Sequence, residues 1–213
     1  MPFTKDEYKE RLKKTKQSMQ EKGIELLISQ DTNNMNYLTG YDAWSFYYSQ
    51  CVIVHIDYDE PLCFIRAQDA GGAYIKTYLK NENIIVYDEK YIHTWPTHPY
   101  DALINFIKER KWEKSNIGVE MDSHYFTAFC YEKLKQGLPN ANIKDSKRLV
   151  NWVRLIKSDA EIIIHGHTHR PMVHDVEIGK RKHKRVVLGD WGSKSHVLIL
   201  SKKILELQEI QLK

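Results

Sequence analysis

Residues 151–171 constrain the reading of this chain most, because two kinds of local structure collide there. Ser158-x-x-Glu161 spells a capping box, in which a serine hydroxyl and a glutamate three residues on satisfy the free N–H groups that open a helix. Three isoleucines follow at once, Ile162, Ile163 and Ile164. β-Branched side chains lose rotamer freedom in a helix and suit a strand. Then comes His165-Gly-His-Thr-His-Arg-Pro171, a dense knot of imidazoles. A helix start that runs straight into a strand is rare inside one domain, where local signals agree with one another. Residues 158–161 therefore read as a junction between a first domain, residues 1–157, and a short β-rich tail, residues 162–213.

The first part alternates helical and strand patterns. Thr4-x-x-Glu7 is another capping box, and Tyr8, Leu12, Thr15 and Met19 recur at helical spacing up to a Gly23 stop. Ile24-Glu-Leu-Leu-Ile28 reads as a buried strand, and Asp31-Thr-Asn-Asn34 as a turn. Cys51-Val-Ile-Val-His-Ile56 and Leu62-Cys-Phe-Ile-Arg66 read as a hairpin. Residues 68–79 lean helical despite Gly71-Gly72, and residues 83–87 form a strand. Residues 92–99, with two prolines and two histidines, are irregular. An amphipathic helix over 101–110, a strand over 117–121 and a helix over 125–136 follow. Asp145 is placed to cap a last helix reaching Lys157, with Leu149, Trp152, Val153 and Ile156 on one face. This order predicts an α/β domain, a mixed sheet flanked by helices. In the tail, residues 186–188, 197–200 and 204–207 read as strands, with Ser201-Lys-Lys203 at a turn.

Composition limits the function classes. The net charge of +4 is spread along the chain and gives no argument for nucleic acid. No window approaches the ~18 apolar residues of a transmembrane helix. Cys51, Cys63 and Cys130 are odd in number and lack CxxC spacing. With no apolar signal segment at the start, the expectation is a cytoplasmic protein with reduced thiols.

Residues 5–161 resemble the N-terminal domain of the creatinase/prolidase/aminopeptidase-P metallohydrolases, nearest to its ectoine-hydrolase branch. The resemblance is carried by Asn34-Met-Asn-Tyr-Leu-Thr-Gly-Tyr-Asp-Ala-Trp-Ser-Phe-Tyr47, Arg66-Ala-Gln-Asp-Ala70, His98-Pro99, Ile117-Gly-Val-Glu-Met-Asp122 and the exit Asn151-Trp-Val-Arg-Leu-Ile-Lys-Ser158. In that family the metals and the catalytic base belong to a separate C-terminal domain. The N-terminal domain builds the oligomer and closes part of a neighbour's pocket. The resemblance thus implies a homo-oligomer with no catalytic residue in this part, and makes Trp44, Tyr47 and Arg66 candidates to touch a small-molecule substrate. The plainer reading is that both aromatics pack in the domain and Arg66 pairs on its surface.

The tail is similar to the C-terminal segment of calcineurin-like metallophosphoesterases, nearest to the UDP-2,3-diacylglucosamine diphosphatase branch. Ile163-Ile-His-Gly-His-Thr-His-Arg-Pro171 and Arg185-Val-Val-Leu-Gly-Asp-Trp-Gly192 carry that likeness. It makes His167 and His169 candidate ligands for a divalent metal, Mn, Zn or Fe, since imidazole suits all three. A two-metal phosphoesterase clamps both oxygens of the reacting phosphate between ions ~4 Å apart, which takes ligands from several loops. The family's Gly-Asn-His and Gly-Asp-x-x-Asp motifs are not in this sequence, and Asp122-Ser-His124 falls inside the other resemblance, so its Asp-x-His spelling reads as coincidence. Lys180-Arg-Lys-His-Lys-Arg185 is expected in a hairpin loop, either solvated or docking anionic groups. The sequence thus points to a non-catalytic creatinase-type module, serving oligomerisation and pocket gating, fused to an incomplete metallophosphoesterase segment. The alternative is a metal-dependent hydrolase, either a phosphoesterase using the Gly-His-Thr-His cluster or an ectoine/Xaa-Pro hydrolase that needs a partner catalytic domain.

Overall fold

A computed structural model describes residues 3–43, 45, 48–146, 149–150, 161–166, 171–178, 181–189, 194–201 and 204–211. The chain divides into two compact units, Met1–Val150 and Asn151–Lys213.

The first unit is built on a six-stranded sheet in the order β4-β3-β2-β1-β5-β6. Its strands are β1 (Leu26–Ser29), β2 (Cys51–His55), β3 (Leu62–Arg66), β4 (Ile84–Tyr87), β5 (Asn116–Val119) and β6 (Asn142–Asp145). β2 runs antiparallel to both neighbours, and the other pairs are parallel, so the sheet is mixed as expected. β1, β2 and β3 are nearly continuous apolar runs because both sheet faces are covered. Alternate residues serve opposite cores. Leu27, Val52, Val54, Cys63 and Ile65 join residues of α1 (Lys5–Glu21), α2 (Thr32–Thr39) and α3 (Ala70–Lys76). Leu26, Ile28, Ile53, Leu62 and Phe64 join residues of α4 (Pro99–Glu109) and α5 (Ala128–Gly137) on the other side. Burying one such side chain contributes about 1.5–3 kcal/mol, so the two layers supply the main driving force of folding.

Local signals explain most of the elements. Thr4 caps α1, accepting from the Glu7 N–H at 3.3 Å, but the Glu7 carboxylate pairs with Arg11 at 3.0 Å. The predicted stripe of Tyr8, Leu12, Thr15 and Met19 is buried throughout. Three readings change. The Asp31 turn is the N-cap of α2, whose carboxylate accepts from the Asn33 N–H at 2.9 Å: the same Asx geometry opens a helix when an apolar face follows. Asp145 ends strand β6, paired with Val119, and the helix expected to follow it to Lys157 falls largely on residues 147–148 and 151–157, which lie outside the described residues. Residues 67–69 form a separate 3-10 turn before the short α3.

In the second unit, β7 (Ile162–His165) and β8 (Met172–Ile178) flank β9 (Arg181–Val187), and β10 (Lys194–Leu200) pairs with β11 (Leu205–Gln211). The tail is β-rich, as its pattern predicts. The basic run is not a loop. Residues 181–185 lie in β9, where Lys184 meets Asp175 at 2.6 Å and Lys182 meets Glu177 at 3.8 Å across the β8 ladder. Opposite charges directly across a ladder favour pairing, which a run of cations alone does not disclose.

Gly40 ends α2 at φ 83°, and a Cβ there would stand 2.9 Å from the buried Tyr8 hydroxyl and 3.3 Å from the Lys76 carbonyl. Gly40→Ala is expected to cost about 1–3 kcal/mol, read as a lower urea midpoint. An unchanged midpoint would show that this turn relaxes freely.

Candidate functional site

The chain bends out of the sheet where the parallel strands β1 and β5 end side by side, and a buried carboxylate fixes that bend. Glu120, 4% exposed, follows β5. Its Oε1 accepts from the Ser29 hydroxyl at 2.7 Å and the Asn34 amide at 2.6 Å. Its Oε2 accepts from the backbone N–H groups of Gln30 at 2.7 Å and Asp31 at 2.8 Å. Burial pushes the Glu120 carboxyl above the ordinary range, although all four bonds pull the other way. Both oxygens are engaged in joining β5 to the start of α2. This carboxylate is a positioning group, and what it positions is Gln30.

Gln30 is among the residues lining an open cleft of about 690 Å³. One wall holds Ser45, Tyr48, Ser49 and Gln50, a second is the irregular 91–99 stretch, and a third is the turn into α5. His98 belongs to the frame of the second wall. Its Nδ1 accepts from the Tyr100 N–H at 3.2 Å, and its own N–H donates to Asp101 at 2.8 Å, a reciprocal cap on α4. Lys133 of α5 holds Asp101 at 2.8 Å and so ties the two helices together. Burial lowers the His98 pKa, with Asp101 opposing and Lys133 assisting, so the ring is neutral near pH 7. At the rim, Trp95 is 83% exposed and stacks on Phe129 with ring centres 6.2 Å apart; Phe129 meets the His98 ring edge-on at 5.1 Å. Among the described residues the lining contains no Asp, Glu, Lys or Arg. The lining also holds three imidazoles, His93, His98 and His124, of which His98 serves the fold as the cap of α4.

The residues singled out from sequence are distributed as follows. Arg66 ends β3, bonds Asp69 at 2.8 Å, approaches Glu89 at 3.8 Å and lies 3.8 Å over the Tyr48 ring. It does not line the cleft; it braces Tyr48, which does. Trp44, Tyr47, His167 and His169 lie outside the described residues. His165 is described: Arg185 donates to its Nε2 at 2.8 Å, so Nδ1 carries the proton toward the Gly166 carbonyl, also at 2.8 Å. Among the described residues no three His, Cys, Asp or Glu side chains gather as a metal site. His124 lines the cleft in its own right. Sequence reading passed over Gln30, Trp95, Phe129 and the role of Glu120. The irregular 92–99 segment, rich in Trp, Pro and His, was the one signal of a wall.

The model of the creatinase/prolidase N-terminal domain matches residues 11–156. The chain belongs to that family. Ectoine hydrolase of Halomonas elongata is 42% identical over 163 residues, 76% of this chain and 41% of the relative. The chain therefore spans about two fifths of the length of that curated relative. A UDP-2,3-diacylglucosamine hydrolase of Xanthomonas campestris is 50% identical over 50 residues, 24% of this chain and 20% of that protein. In fold, the chain is similar to a proline dipeptidase from Streptococcus pneumoniae, with a TM-score of 0.53 at 19% identity over 68% of this chain and 97% of the other. Among the described residues no helix is long and apolar enough to cross a membrane.

Glu120→Gln is expected to unfold more easily by about 1–3 kcal/mol, since an amide offers one acceptor where the carboxylate offers two. The raised pKa adds a signed pH effect. The folded state holds this proton more tightly than the unfolded chain, so the stability due to Glu120 is fullest below the ordinary carboxylate range and declines as pH rises through the folded value. The variant lacks that decline, so its deficit narrows as pH rises above the ordinary carboxylate range. Urea midpoints taken from that range upward test this, and a deficit that widens with pH would show the carboxylate to be favoured in the fold.

Proposed function

We propose that the first unit is a non-catalytic module of a creatinase-family hydrolase, one that self-associates and closes over a substrate pocket, with the cleft beside Gln30 as its substrate-facing surface. The observation that carries this reading is that three ionisable side chains at or next to the cleft are engaged in holding the fold. Glu120 joins β5 to α2, His98 caps α4, and Arg66 braces Tyr48. A general acid or base must exchange protons with a substrate, and groups so engaged are poorly placed to do it. Trp44 and Tyr47 remain proposed substrate contacts; Ser45 and Tyr48, their sequence neighbours, line the cleft.

For residues 162–213 we propose an incomplete metallophosphoesterase segment, supported by the 50-residue likeness to a UDP-2,3-diacylglucosamine hydrolase and by the Gly-His-Thr-His motif. His167 and His169 would offer imidazole nitrogen to Mn, Zn or Fe. His165 is engaged on both ring nitrogens and is a poor third ligand. The fused chain is then inactive by itself. As a second reading, the likeness to ectoine hydrolase favours a whole hydrolase whose catalytic domain is supplied by a partner chain.

The purified chain, supplied with Mn or Zn, is expected to show no turnover of ectoine, an Xaa-Pro dipeptide or a UDP-diacylglucosamine substrate, and to sediment as a homo-oligomer. Stoichiometric metal together with phosphoester hydrolysis, both lost in His167→Ala/His169→Ala, would replace this reading with the phosphoesterase. Sedimentation as a monomer would remove the self-association.

A further inference from the structure

Among the described residues β10 pairs only with β11, so its far edge carries no strand. Two strands are marginal by themselves in water; three or more with an apolar face are needed for independent stability. Natural sheets blunt a free edge with charge, proline, a bulge or short length. β11 follows that habit with Glu206 and Glu209, and β8 with Asp175 and Glu177. β7 lacks charge but has only four residues. β10 has none of these devices: from Ser195 to Leu200 it reads Ser-His-Val-Leu-Ile-Leu, without Asp, Glu, Lys or Arg. Val197 is 38% exposed, Ile199 39% and Leu200 52%. In an antiparallel hairpin the backbone groups of alternate residues point toward the partner strand and away from it. The Ser201 N–H donates to the Ile204 carbonyl at 2.8 Å, which sets that alternation and turns the N–H and C=O groups of Leu198 and Leu200 outward. Side chains alternate as well. Leu198 and Leu200 share one face with Leu205 and Leu207, and Val197 and Ile199 share the other with Ile210.

We propose that β10 is the docking edge for a second copy of this chain, whose own β10 runs antiparallel to it about a two-fold axis at Leu198. The product is a four-stranded sheet in the order β11-β10-β10-β11. In a two-fold interface the same patch serves both copies, so each contact occurs twice. An axis at Leu198 sets Leu198 against itself, Val197 against Ile199 and His196 against Leu200 of the second copy, with no like charges opposed. Moving the axis by one residue sets Lys194 against Leu200, or carries Val197 past the strand end to Ser201. The same operation on β11, centred at Gln208, sets Glu209 against Leu207 and Glu206 against Ile210, so each carboxylate meets an apolar side chain. Pairing through β10 continues the leucine face of one hairpin into the other, and the Val197–Ile199 face likewise. Aliphatic cross-strand pairs of this kind stabilise a sheet. The assembly closes at two copies because its outer edges are the glutamate-bearing β11 strands. This docking is separate from the self-association proposed for the first unit.

The test uses sedimentation velocity of the full chain over a concentration series. Val197→Lys/Ile199→Lys sets lysine against lysine twice across the axis, while within its own hairpin the new side chains face Gln208 and Glu206. It is expected to weaken association about tenfold or more. Val197→Glu/Ile199→Lys removes the same apolar surface and keeps the same hairpin neighbours, but sets glutamate against lysine twice. It is expected to associate about tenfold more tightly than the double-lysine chain. Leu198→Cys, which meets itself at the axis, is expected to form a disulfide between copies on addition of diamide, and Leu207→Cys on β11 is not. Association unchanged in the double-lysine chain, or weakened equally in both variants, would overturn the proposal. So would a parent chain that stays monomeric, or a Leu198→Cys chain that does not cross-link. The two self-association readings fail differently. An oligomer indifferent to the β10 variants sinks this one and leaves the first unit's standing, whereas a chain made wholly monomeric by the double-lysine change does the reverse.

Discussion

The Glu120 carboxylate accepts hydrogen bonds from Ser29, Gln30, Asp31 and Asn34, and the first unit is arranged around that fact. A carboxylate taken out of water is tolerated only where donors replace the lost solvation. Here the donors come from the end of β1 and the start of α2, brought beside β5 by parallel pairing of Leu26–Ile28 with Ile117–Val119. The sheet must form before the carboxylate can be satisfied, and the carboxylate then fixes how the chain leaves the sheet. The result is a rigid seat for Gln30 at the cleft.

The same economy of groups appears around the other walls. His98, Asp101 and Lys133 form one chain of contacts that caps α4 and ties it to α5. Arg66 connects Asp69, Glu89 and the Tyr48 ring, so a residue outside the cleft sets the orientation of one inside it. Polar chemistry in this unit is largely architectural. The described lining of the cleft is made of hydroxyls, amides, imidazoles and aromatic rings.

The tail follows different physics. Its strands carry many exposed positions, with Ile164, Met172, Ile199 and Leu200 all among the exposed large apolar residues. Val186 and Val187 of β9 are buried, and cross-strand pairs such as Lys184–Asp175 and Lys194–Glu209 contribute little each at an exposed surface. Small sheets with one short buried strand gain modest stability from burial, whereas the first unit covers its sheet on both faces.

By itself the sequence determined the elements that rest on local periodicity and on caps: the α1 stripe from Tyr8 to Met19, the β2–β3 hairpin, the amphipathic α4 and the strands at residues 162–164, 197–200 and 204–207. These were legible because one face or one cap suffices to specify them. It also carried the family resemblance, which the match over residues 11–156 bears out. Only the tertiary structure decided the rest. Asp145 became a strand end because β5 offered a partner edge, and residues 181–185 became a strand because Asp175 and Glu177 stood opposite. The cleft was invisible in sequence because its walls come from residues 30, 45, 48–50, 91–99 and 124–130, far apart in the chain. Gln30 looked like any polar residue after a strand. Its burial and the hold of Glu120 on its N–H are properties that exist only once the chain has folded.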